Sequence, residues 1–142
     1  MKPIGEILIE EGLITRDQLN EALEQQKKAN KKRLGEILIH LGVINEDDMV
    51  VALSMQFNLA YLPLKNVSVS RDVCDLLPAE LVRRHSLFPV EQANQTLTVV
   101  MSDPTDEKAI SEIEKLTKCR VQVLVSTISE VENAIRSYYD KR

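Results

Sequence analysis

The sequence predicts an α+β protein: a four-helix unit of two similar helical hairpins over residues 1–58, then a small α/β unit with a three-stranded sheet over residues 59–142. Three observations carry this. The first third of the chain repeats itself at a shift of 30 residues, and repeats are read before anything else. All four glycines, Gly5, Gly12, Gly35 and Gly42, fall at equivalent places in the two copies. From Leu87 onward, strand and helix signals follow in the order β-β-α-β-α.

Residues 3–26 align with 33–56. Gly5-Glu6-Ile7-Leu8-Ile9 recurs as Gly35-Glu36-Ile37-Leu38-Ile39. Gly12, Ile14, Asp17, Ala22, Leu23 and Gln26 recur as Gly42, Ile44, Asp47, Ala52, Leu53 and Gln56. That makes 11 identities in 24 positions, where typical composition gives roughly one or two by chance. Ile4/Leu34, Leu13/Val43 and Leu19/Met49 pair apolar with apolar.

Each copy reads as a short helix, a glycine stop and a longer helix. Ile4, Leu8 and Ile9 share one helical face, and Gly12, like Gly42, caps the helix end. Thr15 and Gln18 have the spacing of a capping box. The next helix is expected to bury Leu19, Ala22 and Leu23 and to expose Glu21, Glu24 and Gln25. In the second copy Asn45 is the cap, and Asp48 sits near the positive end of the helix dipole. A polar linker around Gln26 to Lys32 joins the hairpins. Gly5 and Gly35 stand near helix starts, where capping does not call for glycine. A residue without a side chain there lets another backbone or a ligand come close.

Residues 57–70 read as a connection. Arg71 to Leu77 forms a helical turn or two, and Pro78 opens a short helix through Val82. Leu87 to Glu91 is a strand that Pro89 places at an edge or bulge. A turn at Gln92 to Gln95 leads to a stronger strand at Thr96 to Met101. Asp103-Pro104 signals a helix start, for a helix to about Lys118 that buries Ala109, Ile113 and Leu116. Val121 to Val125 is the third strand, parallel to the second through the intervening helix. Thr127 and Glu130 cap a last helix ending near Tyr139.

Composition narrows function. Hydrophobic residues make up 44% of the chain, enough for a core built on Leu, Ile and Val. No apolar run approaches the roughly 20 residues needed to span a bilayer, and the start of the chain has no signal-peptide core; the protein is read as cytosolic. Cys74 and Cys119 show no ligand spacing and are expected to be buried thiols. The net charge of -4 opposes non-specific nucleic-acid binding. The cluster Lys27, Lys28, Lys31, Lys32 and Arg33 is small, and a solvated helix end explains it about equally well.

Catalytic signals are missing. With every glycine in the first 42 residues, no glycine-rich phosphate loop lies in the α/β half. His40 and His85 stand in different units; His40 occupies the place of Glu10 and is expected to face solvent. Glu46-Asp47-Asp48 reads as a helix-start charge bias. Nothing pairs a nucleophile with a base, so the chain reads as a binding or docking module rather than an enzyme.

The repeat carries a resemblance. Arg33-Leu34-Gly35, Leu38-Ile39, Gly42-Val43-Ile44, Met49, Leu53 and Gln56 resemble the 24-residue motif of the MshEN family. So do Ile4-Gly5, Leu8-Ile9, Gly12-Leu13-Ile14, Leu19, Leu23 and Gln26. Residues 60–139, with Leu76-Leu77-Pro78 and Ser102-Asp103-Pro104-Thr105-Asp106, look like the rest of the N-terminal domain of type II secretion and type IV pilus assembly ATPases, the GspE/PilB group.

The resemblance implies a regulatory domain without the family's ATPase core, either a piece of a longer protein or a stand-alone regulator. It implies cyclic di-GMP as ligand, one half to each motif, and no cofactor or metal. The implied contacts are Ile4, Gly5, Leu8, Ile9, Gly12, Leu23 and Gln26 from the first copy. From the second they are Arg33, Leu34, Gly35, Leu38, Ile39, Gly42, Leu53 and Gln56. Implied partners are an inner-membrane platform protein of the secretion or pilus system and an ATPase core in the same or another chain, with a cytoplasmic location peripheral to that membrane. Pro3 stands where the motif has arginine. Arg33 is therefore the one motif arginine, expected to be exposed at its helix start and replaceable at little cost to folding. The alternative is a protein-docking domain that binds no nucleotide, with the α/β half as the expected docking surface.

Overall fold

The computed structural model describes residues 2–29 and 33–140, so Lys31 and Lys32 of the basic cluster and linker lie outside the described residues. Helices α1 (Ile4–Glu10) and α2 (Arg16–Ala29) form the first hairpin, and α3 (Leu34–His40) and α4 (Glu46–Phe57) the second. Both hairpins turn by the same device. Gly12 and Gly42 adopt φ of 76° and 77°, the left-handed region that glycine enters without a Cβ penalty. The Gly12 amide donates to the Ile9 carbonyl and the Leu13 amide to the Leu8 carbonyl, each at 3.0 Å. Gly42 and Val43 repeat the pattern onto Ile39 and Leu38, which is the Schellman closure of a helix end.

The caps follow the sequence. The Thr15 amide donates to Gln18 Oε1 at 2.9 Å, and the Gln18 amide returns to Thr15 Oγ1 at 3.1 Å. Asn45 Oδ1 accepts from the Asp48 amide at 2.8 Å. α2 outlasts the expected helix and reaches Ala29, which shortens the linker.

The copies pack reciprocally, the first helix of each against the second helix of the other: α1 on α4, α2 on α3. Between them lies one apolar cluster that includes Ile4, Leu8, Leu19, Leu38, Met49 and Leu53. Leu23 departs from expectation and is 37% exposed. Its counterpart Leu53 is 1% exposed because Ser126, Thr127 and Ile128 of the other half close over it. Cover from outside the repeat separates these two identical residues.

The second half contains α5 (Arg71–Cys74), α6 (Ala79–His85), β1 (Leu87–Ala93), β2 (Thr96–Met101), α7 (Glu107–Thr117), β3 (Arg120–Val125) and α8 (Ile128–Tyr138). The sheet order is β1-β2-β3, with β1 antiparallel and β3 parallel to β2. The β1–β2 register shifts between Pro89 and Glu91; proline is tolerated on an edge strand beside such a bulge. Asn94 and Gln95, both at positive φ, make the tight hairpin turn. This half has its own apolar cluster, including Leu87, Phe88, Leu97, Val99 and Ile113, with Cys74 and Cys119 as buried thiols.

Several local expectations shift. α6 starts after Pro78 and runs three residues beyond Val82, to His85. α7 starts at Glu107 under an Asp106 cap, because the Asp103 carboxylate already accepts the Thr105 amide at 2.9 Å in a turn of its own. The covered line of α7 runs through Ala109, Ile110, Ile113 and Thr117, which leaves Leu116 52% exposed. The connection after α4 is partly sheet-like: the Leu62 amide donates to Val125, and the Val125 amide to Ala60, each at 2.9 Å. Glu130 secures it. Thr127 Oγ1 accepts from the Glu130 amide, but the Glu130 carboxylate accepts from the Leu64 amide at 2.9 Å and the Tyr61 hydroxyl at 2.5 Å. The carboxylate also accepts from the Thr127 hydroxyl at 3.0 Å, so it closes the cap through that hydroxyl and at the same time pins residues 61–64.

Candidate functional site: the duplicated helical motif

The two glycines near the helix starts are packing positions. A Cβ on Gly5 would meet Leu19 Cδ1 at 2.7 Å and Leu34 Cδ2 at 3.4 Å. A Cβ on Gly35 would meet Met49 Sδ at 3.2 Å and Ile128 Cδ1 at 3.8 Å. In each copy the glycine admits the first large apolar side chain of the following helix. Both glycines are buried, so protein side chains occupy the space that the sequence left open to a backbone or a ligand.

Arg33 is also covered, against expectation. Its side chain is 21% exposed, with Nε 3.8 Å from Glu36 Oε1. Nη2 donates to the Arg83 carbonyl at 3.4 Å, and Nε is buried with no hydrogen-bond partner among the described residues. Burial lowers the guanidinium pKa, opposed by Glu36, Asp106, Asp103 and Glu132. The cause is position: α3 starts where α6 ends, so the residue before α3 lies against the α/β half rather than in solvent.

The remaining motif residues fall into two groups. Ile4, Leu8, Leu38 and Leu53 are in the core between the copies. Ile9, Gln26, Leu34 and Ile39 are half-buried, while Gly12, Leu23, Gly42 and Gln56 are exposed. A cleft of about 470 Å³ runs along the second turn, lined by Ile39, Gly42, Val43, Ile44, Asn45, Glu46 and Asp48.

The copies differ most where one of them meets the other half. Arg16 in the first copy forms a bidentate pair with Glu6, at 2.8 and 3.0 Å. Its counterpart Glu46 accepts instead from the Ser129 amide and hydroxyl, both at 2.7 Å. A carboxylate at the first turn of α8 suits the unsatisfied amides and the dipole there. Among the described residues no group of three or more metal-binding side chains comes together, and no helix is long and apolar enough to cross a membrane.

The family model of the MshEN domain matches residues 57–142. This chain belongs to the MshEN domain family. The match begins at the end of α4 and takes in the α/β half, whereas the sequence resemblance attached the same name to the repeats upstream. A relative spanning both halves is the type IV pilus assembly ATPase PilB of Myxococcus xanthus (strain DK1622). It is 33% identical over 139 residues, covering 98% of this chain and 24% of PilB. The MshEN chain thus spans about a quarter of the length of that curated relative.

Among solved structures, MshE with cyclic di-GMP superposes with a TM-score of 0.73 at 29% identity, covering 98% of this chain and 100% of that one. The N-terminal domain of XpsE gives 0.77 at 21% identity, covering 98% and 99%. The α+β architecture is shared across both.

Sequence reading passed over one set of residues in this MshEN domain. Val51, Met55 and Tyr61 are 54%, 73% and 42% exposed. The signal was available: Val51 and Met55 stand where the first copy has Glu21 and Gln25.

Proposed function

We propose that this MshEN domain is a non-catalytic regulatory domain of a type II secretion or type IV pilus assembly ATPase, and that cyclic di-GMP binds across its two motifs. The observation that carries the reading is the reciprocal packing of the copies. Cyclic di-GMP has two equivalent guanosine phosphate halves, and a duplicated motif whose copies exchange places offers each half the same surface. Ile9 with Ile39, Gly12 with Gly42 and Leu13 with Val43 are such pairs, each matched in exposure. MshE, solved with this ligand, supports the choice of ligand.

In this reading the core members Ile4, Leu8, Leu38 and Leu53 shape the surface, and Gly5 and Gly35 set the helix spacing. Contact falls to Ile9, Gly12, Leu23 and Gln26 of one copy and Arg33, Leu34, Ile39, Gly42 and Gln56 of the other. Arg33 supplies a planar, charged donor to phosphate or guanine, and Pro3 leaves the first copy without its equal. The partners proposed are an inner-membrane platform protein and the family's ATPase core.

A docking domain without nucleotide is the second reading. The cover over Gly5, Gly35 and Arg33 favours it. Calorimetry on the purified chain separates the two: binding heat and a raised melting temperature with cyclic di-GMP support the first. No heat and no thermal shift near millimolar ligand leave the second.

A further inference from the structure

We propose that the outer face of α4, with Tyr61, docks a basic amphipathic helix of another protein. Val51 and Met55 lie one turn apart on α4 and, with Asp47, Val50, Ser54 and Tyr61, line an open apolar cleft of about 290 Å³. The duplication supplies an internal control. Positions 50, 51, 54 and 55 correspond to Asn20, Glu21, Glu24 and Gln25, all exposed on α2. The same helix in the same hairpin therefore folds with a polar outer face. Val50 is accounted for, since it is buried beside Ile128. Among the described residues nothing covers Met55 and Val51 in this way, and an exposed apolar set that the fold does not require marks an interaction surface.

Charge selects the occupant. α4 carries Glu46, Asp47 and Asp48 and no lysine or arginine, and Glu130 holds the Tyr61 hydroxyl. That bond, with burial and the charges of Glu130, Asp47 and Glu46, pushes the Tyr61 phenol up to about 12. An apolar ridge inside an acidic field fits a helix with apolar residues at i, i+3, i+4 and lysine or arginine on its flanks. It repels an anionic lipid surface and nucleic acid. Methionine adapts to varied partners and tyrosine offers an apolar body with a polar tip. The site uses none of the proposed cyclic di-GMP contacts, and it places docking on α4 and the connection that follows it rather than on the sheet and helices of the α/β half.

The test is an amide NMR titration of the full chain with a synthetic peptide of about 18 residues, leucine and lysine at helical spacing. The expected result is perturbation centred on α4 and residues 59–62, with affinity falling as salt rises. Met55→Lys weakens binding about tenfold or more at an unchanged melting temperature, and Met55→Leu retains it. The proposal is overturned by perturbation elsewhere or none, or by equal binding of the glutamate-for-lysine peptide. It is also overturned by binding of phosphatidylglycerol vesicles through this face, or by self-association of the chain that Met55→Lys abolishes.

Discussion

Replacing Gly5 with alanine sets two known effects against each other. Alanine gains about 1 kcal/mol over glycine inside a helix. The new methyl, however, would lie 2.7 and 3.1 Å from the two Leu19 methyls. Leu19 is 4% exposed and branched at the point of contact, and Leu34 Cδ2 lies 3.4 Å from the same methyl, so there is little room to yield. Overpacking of this kind costs about 1–3 kcal/mol, and the net expectation is a loss of up to about 2 kcal/mol. Gly35→Ala meets the flexible thioether of Met49 at 3.2 Å instead; this neighbour can shift, and the change should be neutral or slightly stabilising. The decisive variant is Gly5→Ala with Leu19→Met, which gives the first copy the side chain of the second and should recover most of the loss. Urea denaturation reads the differences directly as free energies, and thermal melting reads them at roughly 4 °C per kcal/mol. A larger loss for Gly35→Ala than for Gly5→Ala, or no recovery by Leu19→Met, would refute this account of the glycines.

At the hairpin turns, Gly12→Ala and Gly42→Ala have open space for a Cβ but positive φ, so each should lose about 1 kcal/mol, again by denaturation. Tyr61 should ionise near pH 12, read as the absorbance titration difference between the chain and Tyr61→Phe, and Glu130→Gln should bring it back toward the ordinary value. The sign follows: the native phenol holds its proton more tightly than the unfolded one, so its contribution is full below about pH 10. That contribution is lost as pH rises through about 12. Glu6 behaves oppositely, because the bond from Arg16 lowers its pKa. The pair helps above the ordinary carboxylate range and is lost as pH falls through the native value, so Arg16→Ala should matter at neutral pH and not in acid. Glu46→Gln removes the charge at the first turn of α8, and amide exchange at Ser129 should quicken.

Features set by neighbours in sequence were readable before the structure. The glycine turns, the Thr15–Gln18 box, the Asn45 cap and the Pro89 edge strand depend on a few adjacent residues and on backbone sterics. What escaped depends on which surface the other half of the chain covers. Leu23 and Leu53 are the same residue at the same repeat position, yet only Leu53 lies under residues 126–128. Arg33 reads as solvated until α6 is brought against it. Glu130 has capping spacing and meets Thr127 as expected, but its carboxylate also reaches Leu64 and Tyr61, far away in sequence. The Val51–Met55 face was legible in principle, as an apolar departure from the polar first copy.

The central claim is that the duplicated motif binds cyclic di-GMP. Isothermal titration of the chain with cyclic di-GMP, alongside Arg33→Ala and Pro3→Arg, tests it most directly. The account predicts one ligand per chain. Arg33→Ala should weaken binding roughly ten- to hundredfold, the value of a charge-assisted phosphate contact, and Pro3→Arg should tighten it. Because Arg33 is lodged against the Arg83 carbonyl, Arg33→Ala should also lower the melting temperature, so its affinity is to be measured well below that transition. Absence of heat near millimolar ligand would contradict the claim, and so would Arg33→Ala binding as tightly as the parent.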